Sequence, residues 1–163
     1  MKKISVNLSN IGKLIKALDE YERNMNQKAQ LLCTKLAEEG YRIAKYTFDS
    51  AHYDGKKDVS VYVEPRGELK RAVVAVGSTV LILEFGAGYL LGYGHPEPME
   101  YGPGTYPGQK HAFDPNGWYL PKEVQEATGI EKSIGNAPSM AMYKAVKELE
   151  QNIQRIASEV FND

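Results

Sequence analysis

A single cysteine, Cys33, stands among 163 residues. This excludes an internal disulfide and any zinc site built on paired thiolates, and it fits a chain kept in a reducing compartment. Net charge is equally scarce, because 20 Lys and Arg face 21 Asp and Glu to leave −1 at pH 7. Such a balance is ill suited to a task that consists of neutralising phosphates. The first 58 residues hold 11 basic and 8 acidic side chains and the remainder 9 and 13, an asymmetry too small to name a partner. No run approaches the roughly 18 apolar residues of a membrane span. Lys2 and Lys3 have no apolar stretch behind them, so no secretory signal is expected there. The sequon Asn7-Leu8-Ser9 then carries no meaning.

Catalytic signatures are missing as well. Phe85-Gly86-Ala87-Gly88-Tyr89-Leu90-Leu91-Gly92 begins like a dinucleotide fingerprint, but Leu91 stands where its third glycine belongs. More Gly and Pro follow, and not a helix N-terminus that would hold a pyrophosphate. There is no G-x-x-x-x-G-K-[ST], no G-x-S-x-G and no H-E-x-x-H.

What is present is an ordinary globular composition, 42% hydrophobic and 25% charged, at a length that suits one domain with its own core. Ile4, Val6 and Leu8 alternate with polar residues and predict a short edge strand. The period then changes. Ile11, Leu14, Leu18, Tyr21, Met25, Ala29, Leu32, Leu36, Ile43 and Phe48 form one apolar stripe, which predicts a helix of about 35–40 residues. Ser9 or Asn10 is the expected cap, and Gly40 the place where the helix would bend. After a polar turn at 52–58, three runs predict an antiparallel meander covered on one face by the long helix: 59–64, 72–76 and 79–85. Near the C-terminus, Met142, Val146, Leu149, Ile153, Ile156 and Val160 step by four and three, predicting a second amphipathic helix from about Ser139, its expected N-cap. The fold class is therefore α+β. A strand and long helix occupy 1–58, strands 59–85, an extended loop insertion 86–138 and the last helix 139–163.

Residues 86–118 differ in kind. They hold 8 of the 15 Gly and 5 of the 8 Pro, interleaved with Tyr89, Tyr93, Tyr101, Tyr106, Phe113 and Trp118. Gly and Pro at that density continue neither a helix nor a central strand. The aromatics call for burial against something, and Tyr and Trp are the residues enriched at binding hot spots. Beyond this segment, Trp118-Tyr119-Leu120 predicts a last short strand and 122–127 a helical turn, before a loop from Gly129 to Pro138.

Few residues in this pattern offer chemistry. His95, Glu97, Glu100, His111 and Asp114 share one loop, but at no metal-ligand spacing, and solvated polar residues between prolines are the favoured reading. Cys33 beside the first stripe reads as a small apolar filler. Glu84 ends an apolar run. It has the placement of a general base, yet no partner acid or nucleophile can be named, so a solvent-facing or ion-paired strand residue is the favoured reading.

The order of these elements resembles the tail-completion (neck) proteins of siphovirus-type bacteriophages. The resemblance rests on Glu84-Phe85-Gly86-Ala87-Gly88 after the strands, on His95-Pro96 and Gly117-Trp118-Tyr119 in the insertion, and on Gly135-Asn136-Ala137-Pro138-Ser139-Met140-Ala141-Met142-Tyr143 entering the last helix. Pro138-Ser139-Met140 departs from the family's Pro-Phe-(Leu/Met). The resemblance implies a virion structural protein with no catalytic residues, no cofactor and no metal. It implies an oligomeric ring, of six by analogy with tail symmetry, between head-closure and tail-terminator proteins. DNA would pass through without tight binding. The place implied is the virion neck or tail, with the host cytoplasm before assembly. Glu84, Phe85, Gly86, Gly88, Tyr89, Tyr93, His95, Tyr101, Tyr106, Trp118, Tyr119, Met140 and Met142 form the expected assembly interface. The alternative from another class is a small enzyme or ligand-binding domain that uses the Gly-rich loop with Glu84 and His95. A nucleic-acid accessory protein is disfavoured by the charge balance.

Overall fold

The computed structural model describes residues 8–53, 55–96 and 114–162. The architecture is α+β, with a long N-terminal helix, a C-terminal helix and small antiparallel sheets. The predicted edge strand at 4–8 lies outside the described residues except for Leu8, which opens the first helix.

That helix, α1 (Leu8–Ser50), runs 43 residues, about 64 Å at the usual rise. Ser9 and Asn10 are inside it rather than at its cap. It continues unbroken through Gly40, and the glycine serves close approach instead. A Cβ there would meet Leu149 at 3.1 Å and Val73 at 3.3 Å. The turn after α1 is more than a polar linker. The Lys57 ammonium donates to the carbonyls of Phe48, Asp49 and Ala51, placing a cation on the negative end of the helix dipole.

Strands β1 (Ser60–Gly67) and β2 (Lys70–Val76) form one antiparallel hairpin. Pro65 does not end β1, for it pairs with Arg71 and the ladder absorbs it as an irregularity before Gly67 meets Lys70. The hairpin lies on α1, as expected. Val61 and Ala75, a cross-strand pair, turn toward the core.

The third expected strand, 79–85, is instead a helix, α2 (Val80–Phe85). Seven apolar-rich residues fit either state by pattern, and a tertiary contact decides. The Asp58 carboxylate accepts the backbone N–H of Ser78 at 2.7 Å and of Thr79 at 2.9 Å, and the Thr79 hydroxyl at 2.6 Å. These bonds fix the chain's entry into a helical turn, which Leu83 N–H closes onto the Thr79 carbonyl.

The described parts of the insertion, 86–96 and 114–138, are joined by short strand pairs. Strand β3 (Ala87–Gly88) pairs with β6 (Gly135–Asn136), and β4 (Trp118–Tyr119) pairs with β5 (Lys132–Ser133), with α3 (Lys122–Thr128) between β4 and β5. The last helix, α4 (Ala141–Phe161), packs along α1. Ala37 and Ala44 of α1 and Ala141, Ala145, Ile156 and Val160 of α4 are buried, and small residues let the two backbones approach. The core proper joins Phe48, Leu83 and Ala141. Among the described residues no helix is long and apolar enough to cross a membrane.

Candidate functional site

Three sequence motifs far apart in the chain converge at the start of α4. Its first N–H groups lack intrahelical acceptors, and Ser139, the expected N-cap, does not supply one. Met140 holds the cap position in a left-handed conformation (φ 57°) without a capping side-chain bond. The acceptor is Glu84. Its Oε2 takes the Met142 N–H at 2.9 Å and its Oε1 the Tyr143 N–H at 3.0 Å. The Glu84 and Leu83 carbonyls also accept the N–H groups of Met140 and Ser139, at 3.2 and 2.7 Å. Glu84 is thus neither a strand residue nor solvent-facing. It is 5% exposed, and both carboxylate oxygens serve a helix N-terminus, where negative charge is favoured.

His95 lies over this cap. Its side chain is only 2% exposed, and Nε2 is 3.9 Å from Glu84 Oε1. The imidazole packs between Phe85 and Tyr143, with ring centroids 4.8 and 5.5 Å away. The loop that carries it folds back through Gly92 N–H, which donates to the Phe85 carbonyl at 2.7 Å.

The glycines make the convergence possible. Gly88 has φ +66°, and a Cβ on it would lie 2.5 Å from the Trp118 ring. Gly86, at φ +82°, would press a Cβ to 2.6 Å from the Asn136 carbonyl. Only glycine fits such sites without strain. The expected interface residues therefore divide. Glu84, Phe85, Gly86, Gly88, His95, Trp118, Met140 and Met142 build an inward junction, each buried or half-buried or, for His95, with a buried side chain. Tyr89, Tyr93 and Tyr119 point outward, at 55%, 74% and 68% exposure. Tyr101 and Tyr106 lie outside the described residues.

A cleft of about 370 Å3 passes over the junction, bounded by Leu81, Phe85, His95, Tyr143 and Val146. Its lining is mostly apolar, and its polar floor is the Glu84–His95 pair. At 3.9 Å the pair is in contact but beyond hydrogen-bond distance. Among the described residues no three His, Cys, Asp or Glu side chains group as metal ligands. Elsewhere the Asp58 carboxyl is held well below the ordinary range, chiefly by the Thr79 hydroxyl and then by Ser78 and the Thr79 N–H. Arg42 likewise lowers Glu39.

A second surface is absent from the interface expected from sequence. Every residue from 10 to 24 is exposed. Along this stretch Ile11, Leu14, Ile15, Leu18 and Tyr21 show 37%, 60%, 53%, 57% and 64% of their surface. The stripe is visible as periodicity, and the length of the predicted helix already implies apolar surface left for another subunit; the structure locates that surface at residues 10–24. Comparison of the chain with protein-family models, with curated proteins and with solved structures finds no match.

Proposed function

We propose that this chain is a structural protein of a tailed bacteriophage's neck or tail, completing the tail or joining it to the head by ring assembly around the DNA channel. It acts by association alone. The observation that carries this reading is the run from 10 to 24 of α1, which nothing among the described residues covers. A helix in water with no tertiary partner is marginal, and one whose apolar face is bare is built for a partner. The exposed Tyr89, Tyr93 and Tyr119 add rigid aromatic contacts of the kind that interfaces use. A net charge of −1 suits a conduit that must not grip passing DNA. Head-closure and tail-terminator proteins are the partners in this reading. The test is mass spectrometry of tailed particles from the organism that encodes the chain, together with deletion of its gene. The expected result is the chain in the particles and unjoined heads and tails without it. Intact infectious particles from the deletion would overturn the reading.

The approach of His95 to Glu84 favours one second reading, a ligand-binding or catalytic cleft. Under it, a small molecule would raise the melting temperature of the native protein and not of His95→Ala.

A further inference from the structure

The exposed run of α1 is spaced more strictly than packing on a globular core requires. Ile11, Leu14, Leu18, Tyr21 and Met25 step by three, four, three and four. That period of about 3.5 residues draws one seam along a helix and suits a second helix laid beside it. As a heptad, Ile11, Leu18 and Met25 take position a, and Leu14 and Tyr21 take d. Ile15 flanks the seam at e. The charges keep off the seam itself. Lys13 and Glu20 fall at c, Asp19 at b and Glu22 at e, while Lys16 and Arg23 fall at f, the position that faces away from a partner helix.

The run also stands clear of its own packed elements. Helix α4 lies antiparallel to α1, for Leu149 faces Gly40 and the carbonyl of Phe161, its last residue, accepts from the Lys28 ammonium at 3.3 Å. The tip of the hairpin meets α1 at Gln30, whose amide donates to Glu68. Residues 8–27 precede these contacts, about 30 Å of helix.

Charge decides how two such helices lie together. In a parallel pair, Glu20 of each copy comes beside Asp19 and Glu22 of the other, and like charges so placed are unfavourable. In an antiparallel pair, Ile11 can lie opposite Tyr21 of the second copy and Leu14 opposite its Leu18. Every layer then joins an a residue to a d residue. Ile15 meets its own copy near the two-fold axis, and Lys13 shares a flank with Glu20 of the second copy, twice over. The overlap in this register runs from 8 to 24 and ends before Lys28, so α4 and the hairpin of one copy stay clear of the other.

We propose that two copies of this chain pair through residues 11–21 of α1 as an antiparallel, two-fold symmetric helix pair. The apolar surface exposed on Ile11, Leu14, Ile15, Leu18 and Tyr21 amounts to on the order of 1,000 Å2 over both copies, the small end of specific interfaces, so the pair is reversible, with a dissociation constant on the order of 10 μM. A two-fold contact closes on itself and does not build a ring. The inference therefore goes beyond the virion reading and stands on α1 alone.

The test uses full-length chains carrying Cys33→Ala, which removes the sole native thiol. One adds Ile11→Cys and the other Tyr21→Cys. Mixed in a thiol–disulfide buffer that lets bridges exchange, they should link chiefly to each other, with few links between identical chains. Sedimentation of the native chain should show a monomer–dimer equilibrium. Lys13→Glu and Glu20→Lys should each weaken it roughly threefold or more, and the two together in one chain should restore it, with melting temperatures unchanged. That rescue separates a contact between copies from a general effect of charge. A native chain that stays monomeric to about 1 mM, links mainly between identical positions, or a double reversal that pairs no better than the single ones would each overturn the proposal. None of those outcomes touches the virion reading, in which a different protein can meet this run.

Discussion

Glu84 and Tyr143 stand 59 positions apart, yet the Glu84 carboxylate accepts the Tyr143 backbone N–H at 3.0 Å. With the bond to Met142 at 2.9 Å, one buried side chain caps the last helix from outside it. The cap joins α2 to α4 and holds together the core elements that bring Leu83 and Ala141 into contact with Phe48.

Glu84→Ala should therefore cost more than a surface cap does. Two helix N–H groups lose their acceptor in a buried setting, about 2–4 kcal/mol in all. Glu84→Gln keeps one carbonyl acceptor and should lose less than the alanine variant. Urea unfolding of the three proteins checks both the size and the order. Equal losses in the two variants would mean that the bonds to α4 contribute little.

Gly88 and Gly92 separate two effects that glycine substitutions usually mix. Both have positive φ, +66° and +69°, but a Cβ on Gly88 runs into Trp118 while one on Gly92 meets nothing within 4 Å. Gly92→Ala should cost about 1 kcal/mol from backbone strain alone. Gly88→Ala should cost clearly more and should move the indole. Trp118 is the sole tryptophan, so its fluorescence reports the displacement directly, with a change expected for Gly88→Ala and none for Gly92→Ala.

Asp58 should make the fold sensitive to acid. Its carboxyl is held below the ordinary value by the Thr79 hydroxyl and the N–H groups that lead into α2. A group whose folded pKa is depressed contributes stability that is complete above its unfolded pKa, about 3.9 for Asp. That contribution is lost as pH falls from there through the folded pKa. Native stability should drop on acidification below about pH 4, and Asp58→Asn should be less stable at neutral pH with a flatter acid limb. Chemical denaturation at a series of pH values reads both. Parallel curves for the two proteins would remove Asp58 as the source.

The same contacts mark where sequence reading succeeds and where it stops. The stripes of α1 and α4 are legible because their periods are local and long. The α+β class follows from them, from the alternating run at 59–64 and from the apolar run at 72–76. The run at 79–85 reads as a strand because its apolar residues fit either state. The side chain that makes it a helix, Asp58, sits 21 positions before Thr79. Glu84 is conspicuous as a carboxylate in an apolar run, but its acceptor role depends on N–H groups nearly 60 residues downstream. Gly40 reads as a weak point by helix propensity, whereas its place against Leu149 and Val73 is a fact of tertiary packing. The motifs at 84–88, 117–119 and 135–143 could be named from their order. That they meet, with Gly88 against Trp118 and Gly86 against Asn136, is set by tertiary packing.

The exposed stripe of α1 separates folding from assembly. Leu14 and Leu18 are 60% and 57% exposed, so Leu14→Glu with Leu18→Glu removes little buried surface. Glutamate is also as good a helix former as most residues. The change in unfolding free energy should stay within about 0.5 kcal/mol per site, as for ordinary surface substitutions. Association should respond very differently. A carboxylate carried into an apolar contact is costly when it has no partner, so two of them on one face should weaken binding to any partner of that face by well over tenfold, about 1.4 kcal/mol for each factor of ten. Paired measurements decide it: denaturation for the fold, and sedimentation or co-assembly with neck proteins for the contact. A variant that unfolds with native stability yet fails to assemble assigns the stripe to a partner. One that loses stability as well would show that the stripe is covered within the chain, and the exposed run from 10 to 24 would no longer support a role in assembly.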